Sequence, residues 1–231
     1  MKHKILRLAC WAALAAVFAC MASGVRVNWL DYAMSATALA VLIMLLEFEE
    51  RNSDSRMVAL VGILVAVAVA SRQILHGIEF SPVFFIIILC GSVFGPTPGF
   101  TVGALTMFTS NFFLGHGPWT PFQMFAMGLT GALAAYLPKA RRLRMPFLLA
   151  YSVASAYMYG FLTDMFYWMA FVPAHSIESF AGVLAAGMPA NTMRAAGNVF
   201  FMGIIGPVLL KVFDRFKARL TYRRGGKPVA A

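Results

Sequence analysis

Charge is what this chain is short of. Only 12% of its residues are Asp, Glu, Lys or Arg, where soluble domains carry about a quarter, and 61% are hydrophobic. That shortage excludes an ordinary water-soluble domain and points to a polytopic membrane protein. Acidic residues are scarcest, nine against nineteen Lys and Arg. The resulting net charge of +10 does not indicate nucleic acid, because the basic residues collect in short segments beside apolar spans. Cysteine is nearly absent too: Cys10, Cys20 and Cys90 lie in apolar runs without CxxC or CxxH spacing. Neither a disulfide framework nor a zinc site is indicated, and small packing residues are the simpler reading. There is no GxxxxGK[ST], no HExxH, no GxSxG and no useful pair of catalytic carboxylates or Cys/His set. The chain is therefore expected to hydrolyse no ATP itself, to be no intramembrane enzyme, and to need no metal or cofactor.

What is present is a series of apolar spans, so the expected fold class is an all-α polytopic membrane protein in the cell membrane. Residues 2–23 open with Lys2, Lys4 and Arg7 before an apolar run, the pattern of a signal peptide or a first helix. Val17-Phe18-Ala19-Cys20 resembles a lipoprotein cleavage box, but an uncleaved helix is preferred because eight spans put both chain ends on the basic side. Further spans are expected at 29–47, 57–76, 82–94, 99–113, 120–137, 146–171 and 190–210, with an amphipathic surface connection at 172–189. The polar linker Asn52-Ser53-Asp54-Ser55 divides the chain into two N-terminal helices (1–55), a core (56–214) and a basic tail (215–231). The spans at 82–94, 99–113 and 120–137 are short for a crossing of about 20 residues, so they require tilt or burial of polar backbone. Gly/Pro-interrupted short spans are what a cavity part-way into the membrane demands.

Sixteen of the nineteen Lys and Arg fall in the N-terminus, the 49–56 linker, the 139–144 loop and the segment from Lys211 to Lys227. That side reads as cytoplasmic, termini included, and the stretch Ser110 to Gln123 then faces outward. This stretch, S-N-F-F-L-G-H-G-P-W-T-P-F-Q, is too polar and too stiff for a generic hairpin. Pro118 and Pro121 fix φ, Gly115 and Gly117 permit positive φ, and Asn111, His116, Trp119 and Gln123 offer hydrogen-bonding and aromatic groups. Two readings stand: a shaped lip over a small-molecule cavity, or an interfacial turn with a belt tryptophan. Elsewhere Arg72 is expected to meet an anionic substrate group or Glu79, or to snorkel to the headgroups. Asn191, Arg194 and Asn198 share one helix face, which should line a cavity or join helices. Asp164, costly inside a span, should pair with Arg194 or Arg72, either for substrate or for structure. Tyr151, Tyr157 and Tyr159 either stack on a planar ligand or pack. His76 and His116 are either ligands for a metal-containing substrate or solvated loop residues. Gly62, Ala66 and Ala70, four apart, form a small-residue face on the third span.

From about Met57 to Asp214 the chain resembles the substrate-binding S component of energy-coupling factor transporters, the vitamin-uptake branch of the ABC transporters. The resemblance rests on F-G-P-T-P-G-F-T-V-G-A-L (94–105), S-N-F-F-L-G-H-G-P-W-T-P-F-Q-M (110–124) and the glycines at 128 and 131. It implies a six-helix core, to which the two N-terminal helices are extra. It implies a cavity opening outward beneath residues 76–81, 114–119 and 172–189, hence substrate contacts from Arg72, Asn111, Gly115, His116, Gly117, Trp119, Gln123, Tyr159, Asp164, Arg194 and Asn198. It also implies docking of a transmembrane T subunit on Gly62, Ala66 and Ala70, two ATPase subunits as separate chains, and toppling in the bilayer to release substrate. The G-P-W-T-P-F-Q loop is most similar to members with cobalamin-like or unassigned substrates. The competing function is a self-contained ion-coupled secondary transporter or channel, with Asp164 and Arg194 as coupling residues.

Overall fold

The computed structural model describes residues 8–13, 16, 29–51, 55–75, 77–173 and 175–225. Most of the expected first span, the linker residues 52–54 and His76 therefore lie outside the described residues, although 8–13 are helical. The described residues form helices and no strand: α1 (Trp29–Arg51), α2 (Ser55–Ile74), α3 (Val83–Phe94), α4 (Pro96–Leu114), α5 (Thr120–Ala134), α6 (Arg141–Phe171), α7 (Ile177–Ile204) and α8 (Gly206–Gly225).

Three of these have the length and apolarity to cross a membrane, over Asp31–Glu50, Ser55–Ile74 and Arg142–Phe171, and the pair Ile177–Ile204 and Gly206–Leu220 makes a fourth, bent by 65°. Among the described residues the remaining helices fall short of that length and apolarity. The physical reason is clearest in α3, whose 12 residues rise only about 18 Å against a hydrocarbon core of about 30 Å. Every residue from Val83 to Val93 is buried, so α3 is the shielded centre of the bundle and needs no lipid-facing length.

Three boundaries also differ from the sequence reading. Helix α4 starts at Pro96, where missing backbone donors cost nothing in a first turn, and Gly95 at φ 106° separates it from α3. The 172–189 connection is largely helix: Ser176 and Ser179 form a reciprocal capping box, and α7 runs through Pro189. The tail does not simply trail away either. After the break at Ile205 the chain continues as α8, holding Phe213 and Phe216 against Phe94 at centroid distances of 5.5 and 6.1 Å.

Helices α4 and α5 pack closely on each other and on α3 because glycine lets their backbones meet. A Cβ on Gly131 would overlap the Gly99 carbonyl oxygen, and one on Gly91 would overlap that of Gly131. The motif glycines thus serve packing. On the outer side of this pair α1 adds a small cluster of Val41 with Phe100, Ala104 and Ala132.

The two ends of the bundle are chemically different. At one end Arg144 pairs with Asp214 (2.6 and 3.1 Å), and Lys217 Nζ donates to the Val93 carbonyl (2.6 Å). Toward the other end, about 22 to 28 Å along α6 by helical rise, Tyr159 and Thr163 share a cavity with residues of α2, α4 and α5. Along the flank of α2, Gly62, Ala66 and Ala70 are exposed with Val58, Ile63 and Val67, while Val61, Leu64, Val65, Ala68 and Val69 face the core.

Candidate functional site

Helix α2 carries Arg72 in its last turn. A guanidinium there would be costly in an apolar bundle, but α4 supplies its partners: Nη1 donates to Ser110 Oγ and to Asn111 Oδ1, the latter at 2.9 Å. Asn111 is 2% exposed and uses its other end as well, Nδ2 donating to Gln123 Oε1 at 2.8 Å and to Thr120 Oγ1 at 3.2 Å. Asn111 therefore ties α2 to the start of α5 through a single amide. Neighbouring Gln73 reinforces the junction by donating to the Ser110 carbonyl at 3.1 Å.

The α2–α3 turn brings in a residue the sequence reading did not place in the site. Gly77 and Glu79 both have positive φ, 86° and 58°, a conformation costly for glutamate. The turn sets Glu79 Oε2 against Arg194, which donates from Nη2 at 2.8 Å and from Nε at 3.0 Å. Arg194 Nη1 also donates to Asn191 Oδ1 at 2.5 Å, and the guanidinium lies 5.2 Å from the centre of the Tyr159 ring. The expected partnerships are thus exchanged. Arg72 does not meet Glu79, and Asp164 forms no ion pair with Arg72 or Arg194, because Glu79 takes Arg194 and the amide and hydroxyl of α4 take Arg72.

Between these groups lies a cavity of about 200 Å³, lined by Arg72, Glu79, Phe84, Gln123, Tyr159 and Arg194 among others. Tyr159 is buried, with Phe84 edge-on at 5.3 Å, so the lining combines fixed charges with aromatic faces. Leu75, Gly77, Ser81, Val83, Met107, Met127 and Thr163 complete it. Beside it, sharing Gln123 and Thr163, is a second cavity of about 460 Å³ bounded by Trp119, Phe122, Asp164, Phe166, Tyr167 and Phe171. The larger falls in the range of roughly 300–1,000 Å³ typical of small-molecule pockets, and the smaller lies below it.

Of the residues singled out in the sequence, Arg72, Gln123, Tyr159 and Arg194 line the first cavity and Gln123, Trp119 and Asp164 the second. Asn111 lies behind the first as the support of Arg72 and Gln123. Gly115, His116 and Gly117 line neither: Gly115 takes φ 101° at the end of α4, the Trp119 ring covers Gly117, and exposed His116 packs edge-on against Phe112 at 4.6 Å. Asn198 is also turned away, fully buried and donating to the Ser152 carbonyl of α6 at 3.0 Å. Of the other tyrosines, Tyr151 donates to the Thr130 carbonyl and Tyr157 bonds Thr192, both joining helices. Among the described residues no group of His, Cys, Asp and Glu is arranged to hold a metal ion.

A family model described as ECF-type riboflavin transporter, S component, matches residues 52–215. The match takes in α2 to α7, both cavities and the beginning of α8, and leaves α1 outside. No curated protein and no solved structure matches the chain. The cobalamin-like substrate suggested by the loop is not supported, since the matching family is one of riboflavin transporters and a likeness confined to one loop reports its packing as much as its ligand. With seven-tenths of its length matched in one stretch, the chain belongs to the S components of ECF-type riboflavin transporters.

Proposed function

We propose that this protein is the membrane subunit that captures riboflavin, or a close flavin relative, from outside the cell and delivers it inward with a T subunit and two ATPase chains. The observation that carries the proposal is the cavity between Arg72, Glu79, Gln123, Tyr159 and Arg194. Riboflavin has a flat fused ring, one edge that alternates carbonyl acceptors with an N–H donor, and an uncharged polyhydroxyl chain. Arg194 and Gln123 offer N–H donors to carbonyls, Glu79 accepts from an N–H or hydroxyl, and the Tyr159 and Phe84 rings provide apolar faces. Arg194 is already held by Glu79 and Asn191, so its position is set before any ligand arrives. Such preorganisation lowers the entropy lost on binding. Charge distribution supports an outward-facing mouth: the basic loop and tail stand at the opposite end of the bundle.

The test is flavin fluorescence titration of the purified protein, followed by uptake in cells. Saturable quenching without nucleotide is expected, together with uptake that needs the coupling subunits and stops on ATP depletion. Uptake by this chain alone, driven by a proton or sodium gradient, would select the secondary-transporter reading instead.

A further inference from the structure

Helix α8 leaves α7 at a bend of 65° and presents one exposed face as far as Arg219. Val208, Lys211, Val212, Arg215 and Arg219 all lie on that face, within an arc of about 100° by helical geometry. The opposite face is occupied: Leu210, Phe213 and Leu220 are buried, and Lys217 donates to the Val93 carbonyl. Along the exposed face the chemistry changes from apolar to cationic. Val208 and Val212, continuing the exposed Ile204 and Ile205, give way to Arg215 and Arg219, and the step from Val212 to Arg215 is about 4.5 Å of rise. A headgroup layer is about 5 to 8 Å deep, so the change matches the boundary between hydrocarbon and headgroups. Asp214 is the one acidic residue after Glu178, and Arg144 takes it in a two-point ion pair at 2.6 and 3.1 Å. Lys211, Arg215 and Arg219 therefore have no carboxylate partner among the described residues. Spaced four apart, they form a row of neighbouring cations on the helix surface.

We propose that this face of α8 is a binding site for an anionic phospholipid, its phosphate held by Arg215 and Arg219 with Lys211 beside them and its acyl chains lying along Val208 and Val212. Guanidinium groups suit the task because their planar fork matches phosphate oxygens. The order of side chains along the helix selects a phospholipid over an acidic protein surface or a dissolved phosphate. Neither of those carries hydrocarbon to cover the exposed valines. The bound lipid fixes the depth at which α8 leaves the bilayer, and with it the end of the bundle where α3, α6 and α8 meet. The site does not depend on which vitamin the cavity holds.

The test places the full chain in nanodiscs of phosphatidylcholine with increasing fractions of phosphatidylglycerol. Thermal scanning follows stability, and native mass spectrometry counts the lipid retained after extraction into detergent. A saturable rise in melting temperature is expected, with phosphatidylglycerol retained over phosphatidylcholine by about tenfold or more. Lys211→Gln/Arg215→Gln/Arg219→Gln should lose that preference, and Arg219→Gln alone should reduce it part-way, so that one poorly folding variant does not decide the matter. Arg223→Gln/Arg224→Gln/Lys227→Gln removes the same charge farther along the chain and should keep it. Glycerol 3-phosphate, which has the phosphate but no acyl chains, should not displace the lipid at millimolar concentration. Equal retention of the two lipids by the unmodified protein, equal loss in both triple variants, or displacement by glycerol 3-phosphate would overturn the proposal. So would a Lys211/Arg215/Arg219 variant that keeps the phospholipid but no longer co-purifies with the ATPase chains, because the face would then belong to a protein. Flavin titration of that variant reports its folding, and unchanged binding is expected since none of the three residues lines either cavity.

Discussion

Asn111 shows how much can depend on one side chain. It is nearly inaccessible, accepts from Arg72 and donates to Gln123 and Thr120, so its removal orphans polar groups on two other helices at once. Leaving a buried donor or acceptor unpaired costs about 1–3 kcal/mol, more when the group is charged. Asn111→Ala is therefore expected to lower thermal stability and to weaken flavin binding about 10- to 100-fold, because Arg72 and Gln123 both lose their anchor. Asn111→Asp keeps an acceptor for Arg72 but offers Gln123 Oε1 no N–H, so binding should fall between the two; titration of all three proteins checks the order. Glu79 supplies a complementary case. Glu79→Gln leaves a carbonyl for Arg194 but removes the ion pair, and flavin binding should weaken by less than for Arg194→Met, which removes donors from the cavity itself. Equal losses from both would mean that the pair acts only as a strut. Asn111 and Arg194 were legible in the sequence, since amides and guanidinium groups in apolar surroundings announce a cavity or a junction. Glu79 was noticed only as a partner for Arg72, because nothing in its neighbours encodes the backbone turn at 77–79 that delivers it to Arg194.

Between elements, glycine separates structural from functional meaning. Gly91, Gly99 and Gly131 stand where backbones of α3, α4 and α5 meet, and a methyl group at Gly131 would occupy the space of the Gly99 carbonyl. Overpacking of well-filled sites costs about 1–3 kcal/mol, and a backbone neighbour yields less than a side chain does. Gly131→Ala should therefore lower yield and melting temperature markedly, as seen by thermal scanning in detergent. Gly62, by contrast, has nothing within 4 Å of an added Cβ, and with Ala66 and Ala70 it lies on the exposed face of α2. Ala66→Trp or Ala70→Trp should spare stability and flavin binding yet abolish uptake, if that face receives the coupling subunit; uptake at the unmodified level would remove it from consideration. Apolar run length revealed α1, α2 and α6 well because it matches the bilayer. It failed for α7, where Pro189 read as a boundary although the helix passes through it, whereas the expected short span at 82–94 coincides with α3.

At the scale of the whole molecule, the two ends of the bundle make opposite demands. The end carrying Arg144, Asp214 and Lys217 joins α3, α6 and α8, and the basic residues there number four in the 139–144 loop and seven from Lys211 to Lys227, Arg144 and Lys217 included. Placing that end outside would set most of the chain's positive charge against the usual bias of membrane insertion. The cavity mouth and the turn at 115–119 follow at the far end, and uptake requires that end to meet the medium first. Single cysteines test this directly in a background lacking Cys10, Cys20 and Cys90. A membrane-impermeant maleimide applied to intact cells should label His116→Cys, on the exposed turn, and reach Lys139→Cys, on the exposed basic loop, only after permeabilisation. Adding riboflavin should leave the rate at position 116 nearly unchanged, since that ring packs against Phe108 and Phe112 and lines neither cavity. Gln123→Cys, at the wall shared by the two cavities, should instead be protected. The reversed labelling pattern, with position 139 reactive in intact cells, would place the cavity toward the cytosol and make an exporter of the same architecture the better account.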